Sequence, residues 1–319
     1  MLVILKLGCN EISCLTYPNS MKFTLPAFAK INWFLRILGK RDDGYHQICT
    51  AFQTVSLCDE IEFSEADDIL LTCDDPTLPI EDNLVLRAAR LLRDLFVVKK
   101  GAVIHLKKRI PAPGGLAGGS SDAVTTLIGL CRLWNLRLKF TELLEIAQQI
   151  GSDAPFFLYG GTCLGVGRGT EIIPVDEIEE KFILIVTPKV SISTAEAYQR
   201  LGLPNLTNFD PVDNLKFCYS EIENFKKLSI TSNDFEKTIF EMAPEIKQVK
   251  KTLLEQGARL AQLSGSGASV FAVFESETTR QTAMRNMKHE WKKFAVTTVS
   301  RGIYQEALAL RSILIDGRG

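Results

Sequence analysis

Residues 111–122, Pro-Ala-Pro-Gly-Gly-Leu-Ala-Gly-Gly-Ser-Ser-Asp, set four glycines and two serines between a strand-like run and a helix-like one. Upstream, Ala102–Ile110 alternates apolar and polar residues until Pro111, whose missing N–H stops sheet pairing. Downstream, an apolar periodicity starts at Ser120 and lasts to about Trp134. The order strand, glycine loop, helix lets backbone N–H groups approach an anion, and a helix start adds unpaired donors and partial positive charge. The stretch reads as a phosphate cradle, and Ser120 and Ser121 favour that over a turn that merely makes room for packing. It is not a Walker loop, because no lysine precedes Ser120, and Gly114–Gly119 lacks the G-x-G-x-x-G spacing of a dinucleotide fingerprint.

Around this centre the chain alternates irregularly between strands and helices. Residues from Met21 to the turn-forming Arg41-Asp42-Asp43-Gly44 read as a strand or hairpin entry. Asn83–Phe96 carries an apolar stripe and reads as a helix; another runs from Thr141, a plausible N-cap, to Gly151. Phe182–Val186 reads as a buried strand, and residues 202–235 as loops around short helices. A helix near Glu245–Gln256 and the pair Ala258–Leu263 and Ser269–Phe274, joined by the turn Ser264-Gly265-Ser266-Gly267, follow. A helix over about 277–289 and a strand over about 294–300 follow. The fold class expected is α+β, with a first domain over 21–180 and a second over 181–319.

The 319 residues carry 37 Lys+Arg against 38 Asp+Glu, so no basic excess supports a nucleic-acid partner, and a small molecule is expected instead. Eight cysteines without a C-x-x-C pair, and three histidines, give no zinc spacing and no disulfide framework. They read as free, mostly buried thiols in the cytoplasm. The opening run MLVILKLGC is too short for a membrane span and is interrupted by Lys6, so residues 1–20 read as an unpacked extension or an upstream start.

The loop resembles the P-x-x-x-G-L-G/A-S/G-S-S motif of the galactose, homoserine, mevalonate and phosphomevalonate (GHMP) kinase superfamily. Pro26-Ala27-Phe28-Ala29-Lys30-Ile31-Asn32 and Leu263–Phe271 resemble the two other motifs of that superfamily. Arg41–His46, Gly118–Ala123 and Gly151-Ser152-Asp153-Ala154-Pro155-Phe156-Phe157 are similar to one branch, the 4-diphosphocytidyl-2-C-methyl-D-erythritol kinases. Pro113, and Asp213-Asn214-Leu215 where the branch often has Asn-Asp-Leu, are small departures.

The resemblance implies a two-lobed fold: an N-terminal ATP-binding domain like ribosomal protein S5 and a C-terminal ferredoxin-like α/β sandwich. It implies ATP with Mg²⁺, a diphosphocytidyl substrate phosphorylated on its 2-hydroxyl, no nucleic-acid or membrane partner, and a monomer or weak homodimer. Lys30 and Asp153 become the catalytic pair. Pro111, Ala112, Pro113, Gly114, Gly115, Leu116, Ala117, Gly118, Gly119, Ser120 and Ser121 would hold the phosphates, with Lys108 and Asn83 near the base or ribose. Asn32 would meet the erythritol hydroxyls, Tyr45, His46 and Phe52 the cytosine pocket, and Thr194 and Tyr198 its far side. Gly265 and Gly267 would approach the diphosphate or methylerythritol end. The ligands of Mg²⁺ stay open between Ser120 and Asp153. Gly165-Val166-Gly167-Arg168-Gly169 reads as a plain β-turn. A relative acting on homoserine, mevalonate or a sugar would have no use for Tyr45-His46, and a non-catalytic nucleotide binder would need neither Lys30 nor Asp153.

Overall fold

The computed structural model describes residues 22–202, 211–226 and 232–315. The proposed extension 1–20 and parts of the expected loop region 202–235 lie outside them. In chain order the elements are β1 (Lys22–Lys40), β2 (His46–Ala66), β3 (Ile69–Cys73), α1 (Leu84–Leu95), β4 (Gly101–Lys107), α2 (Gly118–Leu133), α3 (Phe140–Ile150), α4 (Phe156–Tyr159), β5 (Thr162–Val166), β6 (Glu171–Pro174) and β7 (Ile183–Thr187). Then come α5 (Thr194–Leu201), α6 (Pro211–Lys226), α7 (Glu236–Met242), α8 (Pro244–Glu255), β8 (Leu260–Leu263), β9 (Val270–Val273), α9 (Glu277–Asn286), β10 (Lys292–Val296) and α10 (Arg301–Ala307).

The expected α+β class holds, and the strands form two sheets. In the first, β3-β4-β2-β5-β6 are neighbours in that order, and β1 pairs antiparallel with β2 along its whole length. The second is β10-β7-β9-β8, all antiparallel. β1 and β2 are buried on both faces over most of their length, since helices cover one side and the second lobe the other. Helix α2 runs through the first core almost wholly buried, with Gly129 set so close to Phe63 that a Cβ would fall 2.4 Å from the ring. No helix among the described residues is long and apolar enough to cross a membrane.

Several local expectations shift. Helix α3 begins two residues earlier than a Thr141 cap would allow: Lys139 stands at the cap, and the Glu142 carboxylate accepts its backbone N–H at 2.7 Å. Residues 211–226 form one 16-residue helix rather than short pieces, because α6 packs against the β1–β2 pair. That packing corrects the reading of the cysteines as all free. Cys49 on β2 and Cys218 on α6, 169 residues apart, are disulfide-bonded, while Cys73, Cys131 and Cys163 are free. Residues beyond 300 also return to the first lobe. Tyr304, Leu308, Leu310 and Ile313 sit in the first lobe's core, and Leu138 N–H donates to Ile313 O at 2.9 Å.

Candidate active site

Lys30 sits in the buried middle of β1, where its two-residue alternation sends Lys30 and Asn32 to the same side. Its ammonium donates to Asn32 Oδ1 at 2.7 Å and to the Gly115 carbonyl at 3.1 Å, and stands 3.7 Å from Asp153 Oδ2. Phe52, from β2, lies under it, 5.5 Å from the ammonium. Burial pulls the Lys30 pKa down; the Asp153 carboxylate opposes this without cancelling it. Asp153 enters from the loop after α3 with its side chain 37% exposed, so the one carboxylate facing Lys30 also faces the cleft. Asn32 is largely committed to orienting Lys30, since its amide also donates to Thr50 Oγ1 at 2.8 Å.

The glycine loop forms the opposite wall. Helix α2 starts without a side-chain cap for the N–H groups of its first turn, and Gly118, Gly119 and Ser120 line the cleft. The loop is pinned to the second lobe by backbone groups. Gly115 O accepts Ser264 Oγ at 2.9 Å, and Ser269 N–H donates to Gly114 O at 3.1 Å. Gly115 has φ +71°, and a Cβ there would sit 2.0 Å from Ser264 O, so only glycine fits. All three motifs therefore meet at Gly115 and Lys30.

The cleft has a volume of about 910 Å³. Of the expected phosphate-loop residues, Pro111, Ala112, Pro113, Gly114, Gly115, Ala117, Gly118, Gly119 and Ser120 line it. Leu116 and Ser121 are buried behind it, where they support the loop from the core. Lys30, Asn32, Tyr45, His46, Phe52, Asp153, Thr194, Tyr198, Gly265 and Gly267 also line it. The His46 ring stacks on Tyr198 at 4.5 Å and 19°, and Phe235 meets Tyr198 edge-on at 4.8 Å. One face of Tyr198 is thus covered by His46, whose pKa burial lowers, with Lys40 adding to the effect. Thr194 is hydrogen-bonded to Ser266 at 2.8 Å, tying α5 to the glycine turn.

Asn83 and Lys108, expected near the base or ribose, are not among the residues lining the cleft. Asn83 caps α1, accepting Val85 N–H at 3.0 Å. Lys108 is buried beneath the start of α2, with its ammonium 2.5 Å from Asp59 Oδ2 and 2.7 Å from Asp122 Oδ2. Asp59 also accepts the backbone N–H groups of Arg109 and Ile110. Burial works against the Lys108 charge, but Asp122 and Asp59 outweigh it and hold the ammonium above its ordinary pKa. Asp122 is pushed well up, first by burial and then by Asp59, with Lys108 opposing. The sequence reading missed this triad, and also Asn233, whose amide holds the turn by donating to Leu263 O and Gly265 O at 2.9 and 2.8 Å. The only advance signal was Asp122, standing directly after the two serines.

The GHMP kinase N-terminal domain model matches residues 83–161, and the GHMP kinase C-terminal model matches 218–293. A 4-diphosphocytidyl-2-C-methyl-D-erythritol kinase of Thermodesulfovibrio yellowstonii is 40% identical over 284 residues, 86% of this chain and 98% of the relative. One from Caldanaerobacter subterraneus is 38% identical over 291 residues, 89% and 99% of the two chains. A crystal structure of 4-(cytidine 5'-diphospho)-2C-methyl-D-erythritol kinase superposes with a TM-score of 0.72 at 28% identity, covering 86% of this chain and 99% of that one. A homoserine kinase from Cytophaga hutchinsonii, at TM-score 0.65 and 19% identity over 90% and 98% of the two chains, shares the fold. Three motifs meeting at one buried ammonium, in two lobes that match this family end to end, place the chain in the 4-diphosphocytidyl-2-C-methyl-D-erythritol kinase family of the GHMP kinases.

Proposed function

We propose that the protein transfers the γ-phosphoryl group of ATP to the 2-hydroxyl of 4-diphosphocytidyl-2-C-methyl-D-erythritol, yielding the 2-phosphate and ADP. The observation that carries this reading is the Lys30 ammonium, set between Asp153 and the glycine loop's Gly115 carbonyl. An alcohol placed beside Asp153 would have its proton held by that carboxylate while Lys30 favours the charge on the attacking oxygen. The first-turn N–H groups of α2 would bind the nucleotide phosphates, and the rings of Tyr45, His46 and Tyr198 offer a site for cytosine. In such a transfer positioning and charge do most of the catalysis.

Mg²⁺ fits this wall. Ser120 lines the cleft, and its Oγ lies 3.9 Å from where a Cβ on Gly151 would stand, which puts the hydroxyl beside the loop that carries Asp153. Ser120 and Asp153 would supply the protein oxygens, few in number as Mg²⁺ prefers, and the ion would neutralise phosphate charge.

The test is incubation with ATP, Mg²⁺ and the cytidyl substrate, with the 2-phosphate detected by ³¹P NMR. Asp153→Asn is expected to keep substrate binding and lose about 10²–10⁴ in kcat; wild-type turnover in that variant would remove Asp153 from the chemistry. Competition by cytidine separates this substrate from homoserine, mevalonate or a sugar.

A further inference from the structure

The turn joining β5 to β6 reads in the sequence as a plain connection, yet the structure brings it to the cleft wall beside the cytosine site. Gly167 and Gly169 take φ +68° and +87°, and Gly167 O accepts the Ile48 N–H at 2.8 Å, which fixes the turn against β2 just past His46. The exposed Arg168 between them lays its guanidinium 4.5 Å from the centroid of the Tyr45 ring. The nearby Asp43 carboxylate is engaged by Arg41 and by the Tyr45 N–H.

Among the described residues lining the cleft, Lys and Arg are represented by Lys30 and Arg168. Lys30 is spent on Asp153, Asn32 and Gly115. Arg168 also acts on the nearby Asp43 carboxylate through space, but no salt bridge holds it there, and its contact with the Tyr45 ring leaves the N–H donors at the guanidinium edge available. A nucleoside diphosphate bound beside Tyr45 would bring negative phosphates to a cleft wall that carries this guanidinium, and a charge-assisted contact between them would be favourable.

Resting on the function proposed above, we infer that Arg168 is a specificity-determining residue that binds the diphosphate of the cytidyl substrate, its flat face supported by Tyr45. The guanidinium fork suits two phosphate oxygens at once, so the contact would distinguish a diphosphocytidyl compound from the bare nucleoside.

The test is calorimetric binding of CDP and of cytidine to the full chain, wild type and Arg168→Met. Wild type is expected to favour CDP over cytidine by about tenfold or more, as a charged hydrogen-bonded contact gives. Arg168→Met should lose that preference while binding cytidine within about twofold of wild type; Arg168→Lys should recover part of it, as a point charge would. In turnover the variant's KM for the cytidyl substrate should rise about tenfold with the KM for ATP unchanged. Equal weakening of CDP and cytidine would overturn the inference, leaving Arg168 as a prop for Tyr45, and unchanged CDP binding would overturn it outright. Failure of wild type to bind either ligand would instead overturn the functional reading on which the inference stands.

Discussion

Replacing Lys108 with methionine removes the cation from the site beneath the phosphate loop while keeping much of its volume. Asp59 and Asp122 are both almost fully buried, at 0% and 2% exposure, and one ammonium serves both at 2.5 and 2.7 Å. Breaking a buried pair by deleting one partner costs about 3–5 kcal/mol, since the remaining charge is left uncompensated. The pH dependence follows from the Asp122 pKa, which lies above its ordinary value in the folded protein. A raised carboxyl binds more protons folded than unfolded, so its stabilising effect is present below the unfolded pKa and lost as pH rises through the folded one. Lys108→Met removes the opposing charge and pushes Asp122 higher still, which extends that loss toward neutral and alkaline pH. Urea unfolding at pH 5 and pH 7.5, with the slope m checked for constancy, should show the 3–5 kcal/mol loss at pH 7.5 and a smaller one at pH 5. A variant within about 1 kcal/mol of wild type at pH 7.5, or equally destabilised at both pH values, would refute the account of the triad.

Gly115→Ala should lose about tenfold or more in kcat/KM for ATP, because its Cβ meets the Ser264 carbonyl at 2.0 Å and two backbones must part to admit it; steady-state kinetics at varied ATP checks this. Gly202→Ala, at φ +59° with nothing within 4 Å, is the control and should cost about 1 kcal/mol of stability by thermal unfolding. Tyr198→Ala should weaken CDP binding by about 1–3 kcal/mol. The same change uncovers His46, whose pKa burial holds down, so its NMR titration should move back up toward the ordinary histidine value; an unmoved titration would show that Tyr198 does not shield it.

What could be read in advance depended on how local each signal was. The loop 111–122 was legible because its glycines and its helix start are neighbours in the chain, and Lys30 and Asp153 were recognisable from the short runs around them. β2 was not delimited, since burial on both faces erases the two-residue alternation that marks a half-exposed strand. The protein partners of Lys108 and Asn83 are not legible in advance, because a side chain's partner cannot be read from its own surroundings: Asp59 is 49 residues from Lys108 in sequence, and the Asn83 side chain caps α1 at Val85. Cys49 and Cys218 were equally opaque, paired across 169 residues only once α6 packs on the first sheet. The GVGRG turn shows why composition misleads at such places: its glycines serve an ordinary turn, and Arg168 gains significance only from standing over Tyr45.

The return of the chain's last segment to the lobe it began with affects how the protein is made. Val299, Tyr304, Leu308, Leu310, Ile313 and Leu314 complete a core whose other buried members emerge from the ribosome between residues 25 and 163. Until residues 299–314 have been made, that earlier half carries a gap where α10 belongs, so a nonsense mutation near residue 300 would damage the first lobe's core before the second lobe's.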